Sequence, residues 1–199
     1  FWDVYRGGAT IPQVIQDLLM CLEYYLVDRI PLFGIEKCIK FLEGVKEYLL
    51  TNSNNILPLP IINSIGFKFS EHLKGYSLPL ATNIDFVMLD MYRAAKENQY
   101  ASLNCMGILS DWEQKNLVDF NNQEFRKISL QQYVFKLQFD IEIRSRVFDL
   151  LDELYKSIEG DEAEATLSLN IQKMDLRKAQ AKEVEGGLLI ETVPTGPAK

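Results

Sequence analysis

Residues 51–69 read TNSNNILPLPIINSIGFKF, and the parsing of this stretch decides the fold. A run of helix-spaced Leu and Ile stops for five polar residues, and Pro58 and Pro60 then flank a single Leu59. Ser and Asn favour turns and helix ends because their short side chains bond nearby backbone. Proline is excluded from a helix interior but fits a first turn, where its missing N–H costs nothing. Ile61, Ile62, Ile65, Phe69 and Leu73 then resume helical spacing, with Gly75 as a C-terminal stop. The stretch therefore reads as a joint between two antiparallel helices. A binding loop is the functional alternative, since loops carry function more often than the elements they connect.

Helices extend outward from this joint. Before it, Ile35, Cys38, Ile39, Leu42, Val45 and Leu49 mark the inner face of a helix over 34–50, with Glu36, Lys37, Lys40, Glu43, Lys46 and Glu47 outward. The first helix opens at Thr10 and Gln13, which have capping-box spacing, with Pro12 in its first turn. Val14, Ile15, Leu18, Leu19, Leu22, Tyr25 and Leu26 predict its buried face, and Asp28–Pro31 its end. After the joint, Thr82 reads as the N-cap of a helix carrying Ile84, Val87, Met88, Met91 and Ala95. Residues 100–120 predict two short helices hinged near Ser110 and Asp111.

Residues 134–147, VFKLQFDIEIRSRV, alternate as a half-buried strand would. Val134, Leu137, Ile141, Phe148, Leu151, Tyr155 and Ile158 also form a helical stripe, and Ser129 with Gln132 has capping-box spacing. The weaker alternation in TLSLNIQKM at 166–174 is the one candidate partner strand. The reading favours a helix broken near Phe139 and Asp140. Beyond Gly160 the sequence turns charged and small, which predicts a flexible tail with one marginal helix.

Composition limits the function. The 199 residues are 47% hydrophobic and 25% charged, ordinary for a packed domain, and the formal charge is −7. Acidity and the absence of a Lys/Arg run argue against general nucleic-acid binding. No segment approaches the roughly 18 apolar residues of a membrane span. Cys21, Cys38 and Cys105 are odd in number and lie among apolar residues, which predicts free, shielded thiols in a cytoplasmic protein. The opening FWDVYRGG, without Met, reads as a cut from something longer, so a targeting signal beyond it is open.

No motif carries catalysis. His72 is the only histidine, and its neighbour Glu71 does not share its face on a helix. Asp149 and Glu153 have the spacing of any acidic helix. Arg6-Gly7-Gly8 lacks a Walker pattern, and Asp161, Glu162 and Glu164 lack the ligand spacing of an EF-hand. The expectation is a protein that is not an enzyme, with no cofactor, metal or small-molecule substrate.

Three stretches resemble armadillo-type repeats: IPLFGIEKCIKFLEGV, NIDFVMLDMYRAAKENQYASLNCMGIL and EIRSRVFDLLDEL. They are similar to the loop-to-long-helix step, to a long helix followed by one with a small central residue, and to the helix opening the next unit. The nearest family is the armadillo-repeat proteins of cilia and flagella, of the axonemal central apparatus. The resemblance implies an all-α, armadillo/HEAT-like α-solenoid fragment with a structural role in a large assembly, in the cytoplasm or an axoneme. It carries over no functional residue. The alternative is a compact helical-bundle regulatory domain, for example one acting on a small GTPase.

The domain reading is a helical repeat unit at 1–159 and a charged, largely flexible tail at 160–199. Partner proteins are expected at exposed aromatics beside apolar stripes, Tyr24 and Tyr92, and at Trp112 by the predicted hinge. In the tail, Leu188, Leu189 and Ile190 form an apolar trio between Gly186-Gly187 and a proline-rich end, the shape of a segment that docks on another protein or folds back on its own.

Overall fold

The computed structural model describes residues 12–100, 119, 122–184 and 187–192, and they are mostly helical. The predicted hinge region around Ser110 and Asp111, with Cys105 and Trp112, lies outside the described residues, as do Thr10 and Arg6-Gly7-Gly8.

Helix α1 spans Gln13–Tyr24, continues as a π turn over Tyr25–Arg29 and closes as a 3-10 turn over Ile30–Phe33. Pro12 is its N-cap and not part of its first turn. The chain does not leave helical geometry at Asp28–Pro31, because Pro31 falls in the first turn of the 3-10 segment, where it displaces no bond. Gly34 then turns the chain at φ +100°, and α2 runs Ile35–Asn52.

The opening stretch is a joint, as its residues imply. Helix α2 includes Thr51 and Asn52, and the turn is made by Ser53 and Asn55. Ser53 Oγ bonds the Asn55 carbonyl at 2.6 Å, and Asn55 Oδ1 accepts from Leu57 N at 2.9 Å. Helix α3, Pro60–Lys68, starts with Pro60 in its first turn and is buried from Pro60 to Phe67. It stops seven residues before Gly75, and the chain passes through turns that bury Phe69, Leu73 and Tyr76. Gly75 adopts φ +71°, and a Cβ there would come within 2.3 Å of Ile143 Cδ1, so both backbone and packing require glycine.

Helix α4 is one turn, Leu78–Ala81, and α5 runs Ile84–Tyr100. The side chain capping α5 is Asn83, whose Oδ1 accepts from Asp85 N at 2.8 Å, while Thr82 bonds back to the Pro79 carbonyl. Thr82 instead closes the one-turn α4 as its C-cap residue.

A short α6, Glu124–Lys127, precedes α7, Leu130–Leu137, and α8, Ile141–Ser157. The ambiguous alternation at 134–147 is therefore helical and broken at Gln138–Asp140. Ser129 and Gln132 form a reciprocal capping box on α7, and Asp140 caps α8 through Glu142 N at 3.0 Å. The stretch at 166–174 belongs to α9, Glu164–Gln172, and supplies no strand.

The tail is more ordered than its composition implies. After α9, a 3-10 turn at Leu176–Lys178 leads into a hairpin of β1, Ala179–Val184, and β2, Gly187–Thr192. The strands pair antiparallel, Ala181 with Ile190 and Glu183 with Leu188. Among the described residues, Ile171 and Met174 join the hydrophobic cluster that also holds Leu42, Ile61, Tyr76, Val87, Val134 and Leu151. Gly160 thus marks a change of composition, not the edge of the packed core.

Candidate functional site

Part of the apolar face predicted for α1 points outward, while its Leu26 is buried and its Leu19 packs against the core. Val14 and Leu18 are 62% and 65% exposed, and Leu22, Tyr25 and Cys21 are also exposed. The face turned inward carries Gln16, Glu23, Leu26, Val27 and Ile30. Cys21 consequently is not shielded, in contrast to Cys38, whose thiol burial pushes above its ordinary pKa. Both thiols are free.

A buried ionic network accompanies Leu26, Val27 and Ile30 on the inner face. Glu23 Oε2 accepts from Arg126 Nη2 at 2.8 Å, with both side chains buried. Arg93, buried on α5, donates to Asp90 Oδ1 at 2.9 Å, to Glu97 Oε2 at 2.5 Å and to the carbonyls of Arg126 and Ile128. Asp90 Oδ2 also accepts from Leu130 N at 2.6 Å, capping α7 from another helix. Rotating α1 to bury Leu18 would expose Glu23 and break its ion pair with the buried Arg126. Breaking a buried ion pair costs about 3–5 kcal/mol, and the same turn would carry Leu26, Val27 and Ile30 out of the core at about 1.5–3 kcal/mol each. The ion pair and these apolar residues together keep the ridge outside.

The residues singled out from the sequence stand on separate elements. Tyr24 is exposed on α1, with the Arg29 guanidinium 5.3 Å from its ring centre. Tyr92 is 60% exposed on α5, with Lys96 Nζ at 4.5 Å from its ring. Leu188, Leu189 and Ile190 lie in β2, paired with Glu183, Lys182 and Ala181. Trp112 lies outside the described residues. His72 and Glu71 are exposed in the turns after α3, and Asp149 and Glu153 are exposed on α8. Among the described residues no group of three His, Cys, Asp or Glu is placed to hold a metal ion, and no helix is long and apolar enough to cross a membrane.

Sequence reasoning missed several exposed features, among them Ile141, which is 82% exposed at the start of α8 although it reads as part of the helical stripe. Leu32 and Phe33 project from the 3-10 turn after α1, and Phe41 and Tyr48 project from α2. The signal for the second pair was present: seven residues apart, they share one helix face, on the flank of the stripe that Cys38 and Leu42 bury. The signal for the orientation of α1 was the spacing of Gln16, Glu23 and Ile30, which repeats every seven residues on one face.

No model of a known protein family matches the chain, and no curated protein matches it either.

Proposed function

We propose that the chain is a structural, protein-interaction module of a larger assembly, with the ridge of α1 as a docking face. The observation that carries this reading is the outward placement of Val14, Leu18, Leu22 and Tyr25 while Glu23 is held inside by Arg126. A continuous apolar ridge on a rigid helix is the element that enters a groove on another protein. Leu32 and Phe33, exposed immediately after it, add apolar surface of the same kind.

The armadillo/HEAT-like solenoid, and its place in a ciliary axoneme, rest on the resemblance of the three helical stretches alone. One observation favours the alternative, a compact helical bundle of regulatory type: the Glu23–Arg126 pair joins residues 103 apart, further than neighbouring helical repeats usually reach. Small-angle scattering separates the two architectures. A radius of gyration near about 16 Å, the expectation for a compact chain of this length, fits the bundle and removes the solenoid.

The interaction reading is tested with Leu18→Asp/Leu22→Asp. Both positions are exposed, so melting should stay unchanged within about 1–2 °C. Proteins retained by the wild-type chain from a cell extract should be lost from the folded variant. Identical retention by the two chains would overturn the ridge as the docking face.

A further inference from the structure

Helix α2 contains a glycine that this chain does not itself require. Gly44 lies mid-helix, where glycine costs about 1 kcal/mol relative to alanine. Its φ is not positive, and a Cβ built on it would meet nothing within 4 Å. Close approach of another backbone is the remaining physical use for a missing side chain. The surroundings of Gly44 define what approaches. At about 100° per residue, Phe41 and Tyr48 flank it on one side of the outer face, and Lys40 and Glu47 on the other. All four are exposed, Phe41 by 47% and Tyr48 by 66%.

We propose that a second copy of this chain docks on the outer face of α2, antiparallel, about a two-fold axis at Gly44. That axis sets Phe41 of one copy beside Tyr48 of the other, and Lys40 beside Glu47, and symmetry makes each contact twice. Two aromatic contacts then line one side of the crossing, and two opposite-charge pairs line the other. A parallel arrangement would instead set Lys40 beside Phe41 and Glu47 beside Tyr48 of the other copy, leaving the charges unpaired, so the charges select the antiparallel one. The pattern is self-complementary, which a surface serving an unrelated partner has no reason to be. Gly44 at the crossing lets the two helix backbones approach closely enough for all four contacts to form.

The inference goes beyond the docking role of the α1 ridge and does not depend on it. Sedimentation equilibrium of the 199-residue chain should show a monomer–dimer equilibrium. Gly44→Leu should abolish the dimer while leaving the monomer at least as stable, because leucine is the better helix former at an open position. Lys40→Glu and Glu47→Lys should each weaken dimerisation by at least about tenfold, since each turns two attractions into repulsions. The double exchange Lys40→Glu/Glu47→Lys reverses both charges and should recover the wild-type affinity. Leu18→Asp/Leu22→Asp should dimerise as the wild type does. A chain that stays monomeric at millimolar concentration overturns the proposal, even where another protein covers α2. So does a dimer that Gly44→Leu or Lys40→Glu leaves intact, a double exchange that restores nothing, or a dimer lost in the α1 variant.

Discussion

Glu23 Oε2 and Arg126 Nη2 lie 2.8 Å apart, joining α1 to the α6 turn across 103 residues of chain, with both side chains buried. Removing either partner takes this ion pair away from the other buried charge. Glu23→Ala or Arg126→Ala should each cost about 3–5 kcal/mol in urea unfolding. Glu23→Leu/Arg126→Met removes both charges, and should cost clearly less than the sum of the single changes. Additive losses in that cycle would show that the two residues act separately.

The helices were legible because periodicity and caps record local physics. The Ser129–Gln132 box, the first-turn Pro60 and the break at Asp140 all stand where their residue types imply. What could not be read was which part of α1 turns inward. Val14, Leu18, Leu22 and Tyr25 were read as buried, whereas the inner face holds a carboxylate whose partner lies 103 residues away. Asp90 and Arg93, spaced as an ordinary solvated i,i+3 pair, proved to be core for the same long-range reason. Of the candidate surface, Tyr24 and Tyr92 were legible as exposed aromatics, whereas the α1 ridge was misread as core.

Asn63 is buried within α3, and neither of its side-chain polar atoms has a protein partner. A buried amide left unbonded costs about 1–3 kcal/mol relative to an apolar group of similar shape. Asn63→Leu should therefore raise the melting temperature by a few degrees. A variant that melts lower would show that the amide does bonding work in the native protein.

Burial pushes the Tyr133 hydroxyl up to about 12, an effect partly offset by the backbone amides of Gly75, Tyr76 and Ser77. The folded chain thus holds the neutral phenol more tightly than the unfolded chain, whose tyrosines ionise near 10. This contribution is fully present below pH 10 and is lost as pH rises through 12. Its full size is on the order of 2 kcal/mol. Tyr133→Phe, which has no proton to lose, should flatten that part of the alkaline stability profile. Its effect at neutral pH should be small, since the hydroxyl lies a long 3.5 Å from the Leu73 carbonyl. An unchanged alkaline profile in Tyr133→Phe would assign the loss to other groups.

Two truncations separate the packed part of the tail from the hairpin. Gln138, buried at the corner between α7 and α8, accepts from Leu176 N at 2.7 Å and donates to the Met174 carbonyl, tying residues 174–176 to the body. Arg177 adds a bond to Asp152 Oδ1 at 2.7 Å and stacks over Phe148 at 4.7 Å. Ending the chain at Gly160 removes Ile171 and Met174 from the core and strips Gln138 of two partners. That loss should lower the melting temperature by many degrees, since burying two large apolar side chains contributes about 3–6 kcal/mol. Ending it at Lys178 removes only the hairpin with Leu188, Leu189 and Ile190. A two-stranded hairpin is marginal by itself, so this chain should melt within a few degrees of the full one. If the longer truncation were as mild as the shorter, α9 would be dispensable to the core that Ile171 and Met174 enter. If the shorter were as severe as the longer, the apolar trio of β2 would belong to the fold of this chain and would not be free to dock elsewhere.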